Sequence, residues 1–192
     1  FGRETLDYEG LFEEVCQVPA GSRGLLFLPY LAGERSPLWD PDARGCFIGL
    51  SANHGRREMA RAVVEAVAYA VRDVVDVMEE NGLPIAELRV TGGQARSPVW
   101  NQIKADVLQR RILVAEQDAE LLGGACVGLF ALGRYADLAG AAESVVRIRK
   151  VHEPRPGLKD RYDELFALYR ASYRALRDVF ARLARLPTEA EG

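Results

Sequence analysis

The chain has 192 residues, 48% hydrophobic and 28% charged, with a formal net charge of -3. A chain of this length buries enough core to fold without staples, and its composition is that of a globular protein. The slight acidity argues against a nucleic-acid partner, which calls for a concentrated basic surface.

Three widely spaced cysteines, Cys16, Cys46 and Cys126, form no disulfide framework and read as free thiols of a reducing, cytoplasmic setting. The two histidines, His54 and His152, lack Cys or His neighbours at metal-ligand spacing, which speaks against a zinc site. The longest apolar stretch, LLGGACVGLFALG from Leu121 to Gly133, is too short to cross a bilayer, so no membrane partner is expected. The chain starts at Phe1, and FGRETLDYEG reads as the interior of a longer protein.

In chain order, residues 7–18 suit a short helix closed by Pro19 and Gly21. GLLFLPYL (Gly24 to Leu31) has strand length, a Gly/Pro/Asp-rich loop follows, and CFIGL (Cys46 to Leu50) is a second strand candidate. Arg57 to Glu80 is the clearest helix. On a helical wheel its charged residues, among them Arg61, Glu65, Arg72 and Asp73, fall on one half. The other half holds Met59, Val63, Ala66, Ala70, Val74 and Val77, so a core-facing side and a water-facing side are expected. Asn81-Gly82, with Pro84 beyond, stops it.

ELRVTGG reads as a strand ending on two glycines. Ser97 is a good N-cap, and Pro98 stands where its missing N–H costs nothing. The helix from Pro98 to Gln109 buries Trp100, Ile103 and Val107. A strand at Arg111 to Ala115, a small-residue helix at 119–132 and a last helix at 158–186 complete the pattern, which is that of an α/β domain. In the last helix, Tyr162, Phe166, Tyr169, Tyr173, Leu176, Phe180 and Leu183 form a seam at helical spacing. Its aromatics read as packing rather than as a base-stacking surface, because acidic residues are interspersed.

A glycine pair between a strand and a helix lets a ligand reach the main chain, and the helix start attracts anions. A plain tight turn is the competing reading of Gly92-Gly93. Neither G-x-G-x-x-G after a strand nor G-x-x-x-x-G-K-[ST] occurs, so any nucleotide is held by another architecture.

Several segments together resemble one family. FLPYLAGERSPLWDPDARGCFIGL is similar to the C-terminal domain of FGGY-type carbohydrate kinases, especially the xylulokinase and gluconokinase branches. GCFIGLSANHGRREMARAVVE fits the family's C-terminal signature, VTGGQARSPVWNQIKADVL its adenosine motif, and LLGGACVGLFALG the helix after it. VHEPRPGLKDRYDELFALYRASYRAL resembles its closing segment.

The resemblance implies a ribonuclease-H-like α/β fold of the actin and sugar-kinase superfamily, incomplete at its first strands, with residues 1–192 as the ATP-binding C-terminal domain. It implies ATP and Mg²⁺ as cofactors, a sugar held mainly by a separate N-terminal domain, and room for a homodimer. Gly92 and Gly93 would let adenosine lie on the main chain, with Gln94, Ser97 and Asn101 as polar contacts. Gly124 and Ala125 would border the adenine, and Glu34 and Arg35 would face the interdomain cleft.

Each assignment has a plainer counterpart. Arg35 could pair with Glu34 or Asp40, Asn101 could face solvent, Gly124 and Gly128 could serve helix packing, and Trp39 and Trp100 could be packing residues. The family's Asp-x-Gly-Thr turn and its aspartate base have no match, so this chain offers no catalytic residue and alone is expected to be inactive. A non-catalytic nucleotide-binding or assembly module of the same superfamily, and a purely structural domain, are the competing functions.

Overall fold

The computed structural model describes residues 7–116 and 119–186. They form two compact units, one of residues 7–84 with 156–186 and one of Ile85–Arg155.

In the first unit, α1 (Tyr8–Gln17) begins where the Asp7 carboxylate accepts from Gly10 N–H. Strands β1 (Leu26–Pro29) and β2 (Gly45–Ile48) pair antiparallel, with Leu26 opposite Ile48. Helix α2 (Arg56–Glu80) ends at Asn81, and Gly82 follows at φ 80°. Leu25 and Phe27 pack on Ala62 and Ala66 of α2, with Phe47 and Met59 at the margin of this core. Helix α6 (Lys159–Ala184) covers another face of α2 and sets the rings of Phe166 and Tyr169 against Tyr69. The aromatic seam is buried at Tyr162, Phe166, Tyr169, Tyr173 and Phe180, while Leu183 at its end is exposed.

The division of α2 into a charged wet side and an apolar dry side is corrected by the structure. Arg61, Glu65 and Asp73 are only 4%, 1% and 3% exposed, while Val63 is 39% exposed. The cause lies about a hundred residues away. Tyr162 of α6 donates to Glu65 Oε1 at 2.8 Å, and Arg61 Nη2 donates to the Tyr162 hydroxyl at 2.9 Å. Arg170 Nε lies 3.2 Å from Asp73 Oδ1, an ion pair without hydrogen-bond geometry. Buried charges persist where they are paired and hydrogen-bonded.

In the second unit, the sheet order is β3-β4-β5. Strand β3 (Glu87–Val90) runs parallel to β4 (Arg111–Ala115), and β5 (Ile148–His152) runs antiparallel to β4. Helix α3 (Pro98–Leu108) joins β3 to β4 and buries Ile103 and Val107, while Trp100 is half-buried. Helices α4 (Ala119–Ala131) and α5 (Leu138–Val145) pack on each other. The sequence reading did not foresee α5 or β5. One is a single eight-residue helix capped by Asp137, and the other carries charged residues at positions 149 and 150. Among the described residues no helix is long and apolar enough to cross a membrane.

Beneath the sheet end, Asp106 is fully buried and accepts from Arg155 through N at 2.9 Å, Nε at 3.0 Å and Nη2 at 2.6 Å. Gln102 Nε2 donates to Asp106 Oδ1 and to Glu153 O, which turns its carbonyl oxygen toward His152 Nδ1 at 3.3 Å. Nδ1 therefore carries the proton, and the buried Nε2 has no hydrogen-bond partner among the described residues.

Burial, followed by the Lys150 charge, holds the His152 pKa below its ordinary 6.5 against the pull of Asp106. A group depressed on folding contributes stability above the unfolded pKa, and that stability is lost as pH falls through the folded value. The melting temperature should therefore drop on acidification below pH 6.5, and His152→Gln should flatten that part of the profile. An identical acid slope in the variant would assign the effect to other groups.

Candidate functional site at the carboxyl ends of β3 and β4

After Val90 the chain turns through Thr91 and Gly92. Gly92 has φ 79° and ψ -167°, a region essentially reserved for glycine. Gly93–Arg96 then forms one 3₁₀ turn, closed by Ala95 N–H to Gly92 O at 3.2 Å. Ser97 caps α3 by accepting from Trp100 N–H at 3.2 Å, and Pro98 follows at the first helical position.

The two glycines differ in what requires them. Gly92 is needed by its backbone angle. Gly93 has no positive φ, and a Cβ built there meets no atom within 4 Å. Among the described residues neither conformation nor packing explains its bareness, which leaves open space above an exposed main chain.

Gln94 is exposed, and its Oε1 accepts from Lys104 Nζ at 3.3 Å. The Lys104 ammonium also lies 5.1 Å from the Trp100 ring centre, which gives that tryptophan a packing role. Burial lowers the Lys104 pKa.

Asn101 is 1% exposed and donates from Nδ2 to Ala95 O at 2.8 Å. It does not face solvent. It braces the turn from below, so a direct polar contact through its amide nitrogen does not fit this geometry.

A cavity of about 120 Å³ opens at the same strand ends. It is lined by Thr91, Gly92, Ala95 and Arg96 from the turn, by Ala115 and Glu116 at the end of β4, and by Arg149. Carboxyl ends of neighbouring strands in α/β sheets are where ligands dock. The sequence points to the turn of Thr91, Gly92 and Gly93 but not to Arg96, Glu116 or Arg149. The Arg-x-Arg-Lys run at 147–150, in a segment of strand length, was the available signal.

Gly124 and Ala125 are exposed on α4, and a Cβ at Gly124 meets no atom within 4 Å. They do not line this cavity. Glu34 and Arg35 belong to the first unit. Their loop is pinned by paired backbone bonds of 2.8 Å between Glu34 and Asp40. Asp40 accepts from the Tyr173 hydroxyl at 2.6 Å, which holds the Asp40 carboxyl below its usual range, and the pKa of the Tyr173 hydroxyl is pushed up to about 12, mainly by burial. Glu34 accepts from Ser36 N–H, and Arg35 makes no hydrogen bond or ion pair among the described residues. The pairing of Arg35 with Glu34 or Asp40 is therefore not formed.

Among the described residues no group of three or more His, Cys, Asp or Glu side chains could hold a metal ion.

A sequence profile of the C-terminal domain of the FGGY family of carbohydrate kinases matches residues 3–132. The chain belongs to this family. It is 33% identical to the xylulose kinase of Staphylococcus epidermidis over 94% of its own length and 38% of that protein. It is 37% identical to the gluconokinase of Bacillus subtilis over 93% of its length and 33% of that protein. A crystal structure of ligand-bound xylulose kinase from Lactobacillus acidophilus superposes with a TM-score of 0.84 at 32% identity, covering 91% of this chain and 36% of that one. This FGGY chain thus has the mixed α/β fold of the sugar kinases and spans little over a third of the relatives it matches.

Proposed function

We propose that the chain is the ATP-binding portion of a kinase that moves the γ-phosphoryl of Mg-ATP to a hydroxyl of a ketopentose such as xylulose. The observation that carries this reading is the Gly92-Gly93 turn. One glycine is fixed by its backbone, while the other is bare without any reason among the described residues, beside a cavity with two guanidiniums. Adenosine would lie over Gly93, with Gln94 and Ser97 as polar neighbours, Asn101 fixing the turn, and Gly124 and Ala125 bordering the base. Glu34 and Arg35 would face the cleft, and a homodimer and a cytoplasmic setting belong to the same reading.

The residues present fit a nucleotide but not a metal, so Mg²⁺ would enter with the phosphates and residues of the N-terminal domain. Binding and orienting the nucleotide is what this part contributes; phosphoryl transfer depends on positioning and electrostatics. Gluconate is the second acceptor to consider, because identity to gluconokinase reaches 37% against 33% for xylulose kinase.

A coupled ADP-release assay on the full-length protein, with xylulose and gluconate offered separately, tests the reading. Turnover is expected with xylulose. Turnover on gluconate alone would transfer the assignment to the second acceptor. ADP binding without turnover on any sugar would favour a non-catalytic nucleotide-binding module.

A further inference from the structure

Arg149 occupies an unusual place on β5. The ladder pairs Val114 with Lys150 but Ala115 with Ile148, so Arg149 is the extra residue of a β-bulge. Bulges re-aim side chains and gather beside functional sites. Here the residue released from the ladder lines the cavity at the strand ends, where Arg96 of the 3₁₀ turn also stands. Both arginines are exposed, and neither makes a hydrogen bond or ion pair among the described residues. Among the described lining residues, two guanidiniums and one carboxylate, Glu116, leave a net positive charge.

The cavity of about 120 Å³ is well below the several hundred Å³ typical of a whole small-molecule site. It suits one compact charged group. Guanidiniums present paired N–H donors that match phosphate oxygens. The bare backbone of Gly92 lets such a group approach the main chain.

We propose that Arg96 and Arg149 form an anion-recognising corner for a phosphate group of the bound nucleotide, so this cavity reads the charged end of the ligand and not its base. The inference rests on the nucleotide reading above. It makes Arg149 a binding residue supplied by β5, outside the glycine turn and the helix after it.

Titration calorimetry with ADP and adenosine, on the full-length protein and on Arg96→Ala and Arg149→Ala, tests it. Neither side chain holds the described structure together, so both variants should melt like wild type. Each should weaken ADP about tenfold, as expected for a lost charge-assisted pair, and leave adenosine unchanged. Arg149→Lys should recover part of the loss, and the salt dependence of ADP binding should shrink in both alanine variants.

An unchanged ratio of ADP to adenosine affinity in both variants would overturn this inference and leave the nucleotide reading standing. Wild type that binds neither ligand would overturn both.

Discussion

Arg61→Ala should destabilise the first unit by about 3–5 kcal/mol, the cost of leaving a buried charge without its partner. Glu65 is 1% exposed, and its Oε1 collects Arg61 Nε at 2.7 Å, the Tyr162 hydroxyl at 2.8 Å and Gly21 N–H at 2.9 Å. Arg61 is itself 4% exposed and reaches Val15 O as well. Burial is the strongest influence and lowers its pKa, but the charge and hydrogen bond of Glu65 together with those of Tyr162 outweigh it and raise the pKa. Total stabilities of small proteins are only about 5–15 kcal/mol, so this single loss is a large fraction.

The double variant Arg61→Met with Glu65→Gln should recover much of the stability, because it removes both charges and keeps an acceptor for Gly21 N–H. Urea denaturation followed by tyrosine fluorescence measures both variants. A loss under about 1 kcal/mol for Arg61→Ala would show that water reaches Glu65 and screens the pair.

Gly93→Val should leave the fold intact, since the added Cβ meets no atom of the described residues within 4 Å. It should nevertheless raise the Michaelis constant for ATP by about tenfold or more while sparing that for the sugar, the signature of a lost binding interaction. Gly92→Val is the structural counterpart. At φ 79° and ψ -167° a side chain is strained, so this variant should lose stability and ATP affinity together. The two adjacent glycines thus separate ligand approach from backbone need. Unchanged ATP kinetics in Gly93→Val would remove that residue from the site.

Local chemistry was the legible part of the sequence. The Ser97 cap, Pro98 at the first helical position, the Asn81-Gly82 stop and the strand at 111–115 are each set by neighbours within a few residues. The family resemblance added the fold class. What stayed hidden depends on contacts distant in sequence. The wheel placed Arg61, Glu65 and Asp73 on a wet face, because their partners, Tyr162 and Arg170, belong to a helix that only tertiary folding brings there.

The same holds at the site. The turn of Gly92 and Gly93 was visible, but Asn101 could be placed beneath it only through its bond to Ala95 O. Arg149 was invisible because its aim follows from a bulge. IRKVH breaks strict alternation at Arg149-Lys150, and periodicity alone does not distinguish a bulged edge strand from a loop.

The open space over Gly93 is the proposed seat of the nucleotide. Calorimetric titration of ADP into the full-length protein and its Gly93→Val variant, with melting curves alongside, tests it most directly. Saturable binding to wild type, at least about tenfold weaker binding to the variant, and superimposable melts are expected. Equal ADP affinity in the two proteins would contradict that placement and leave Gly92-Gly93 as a tight turn.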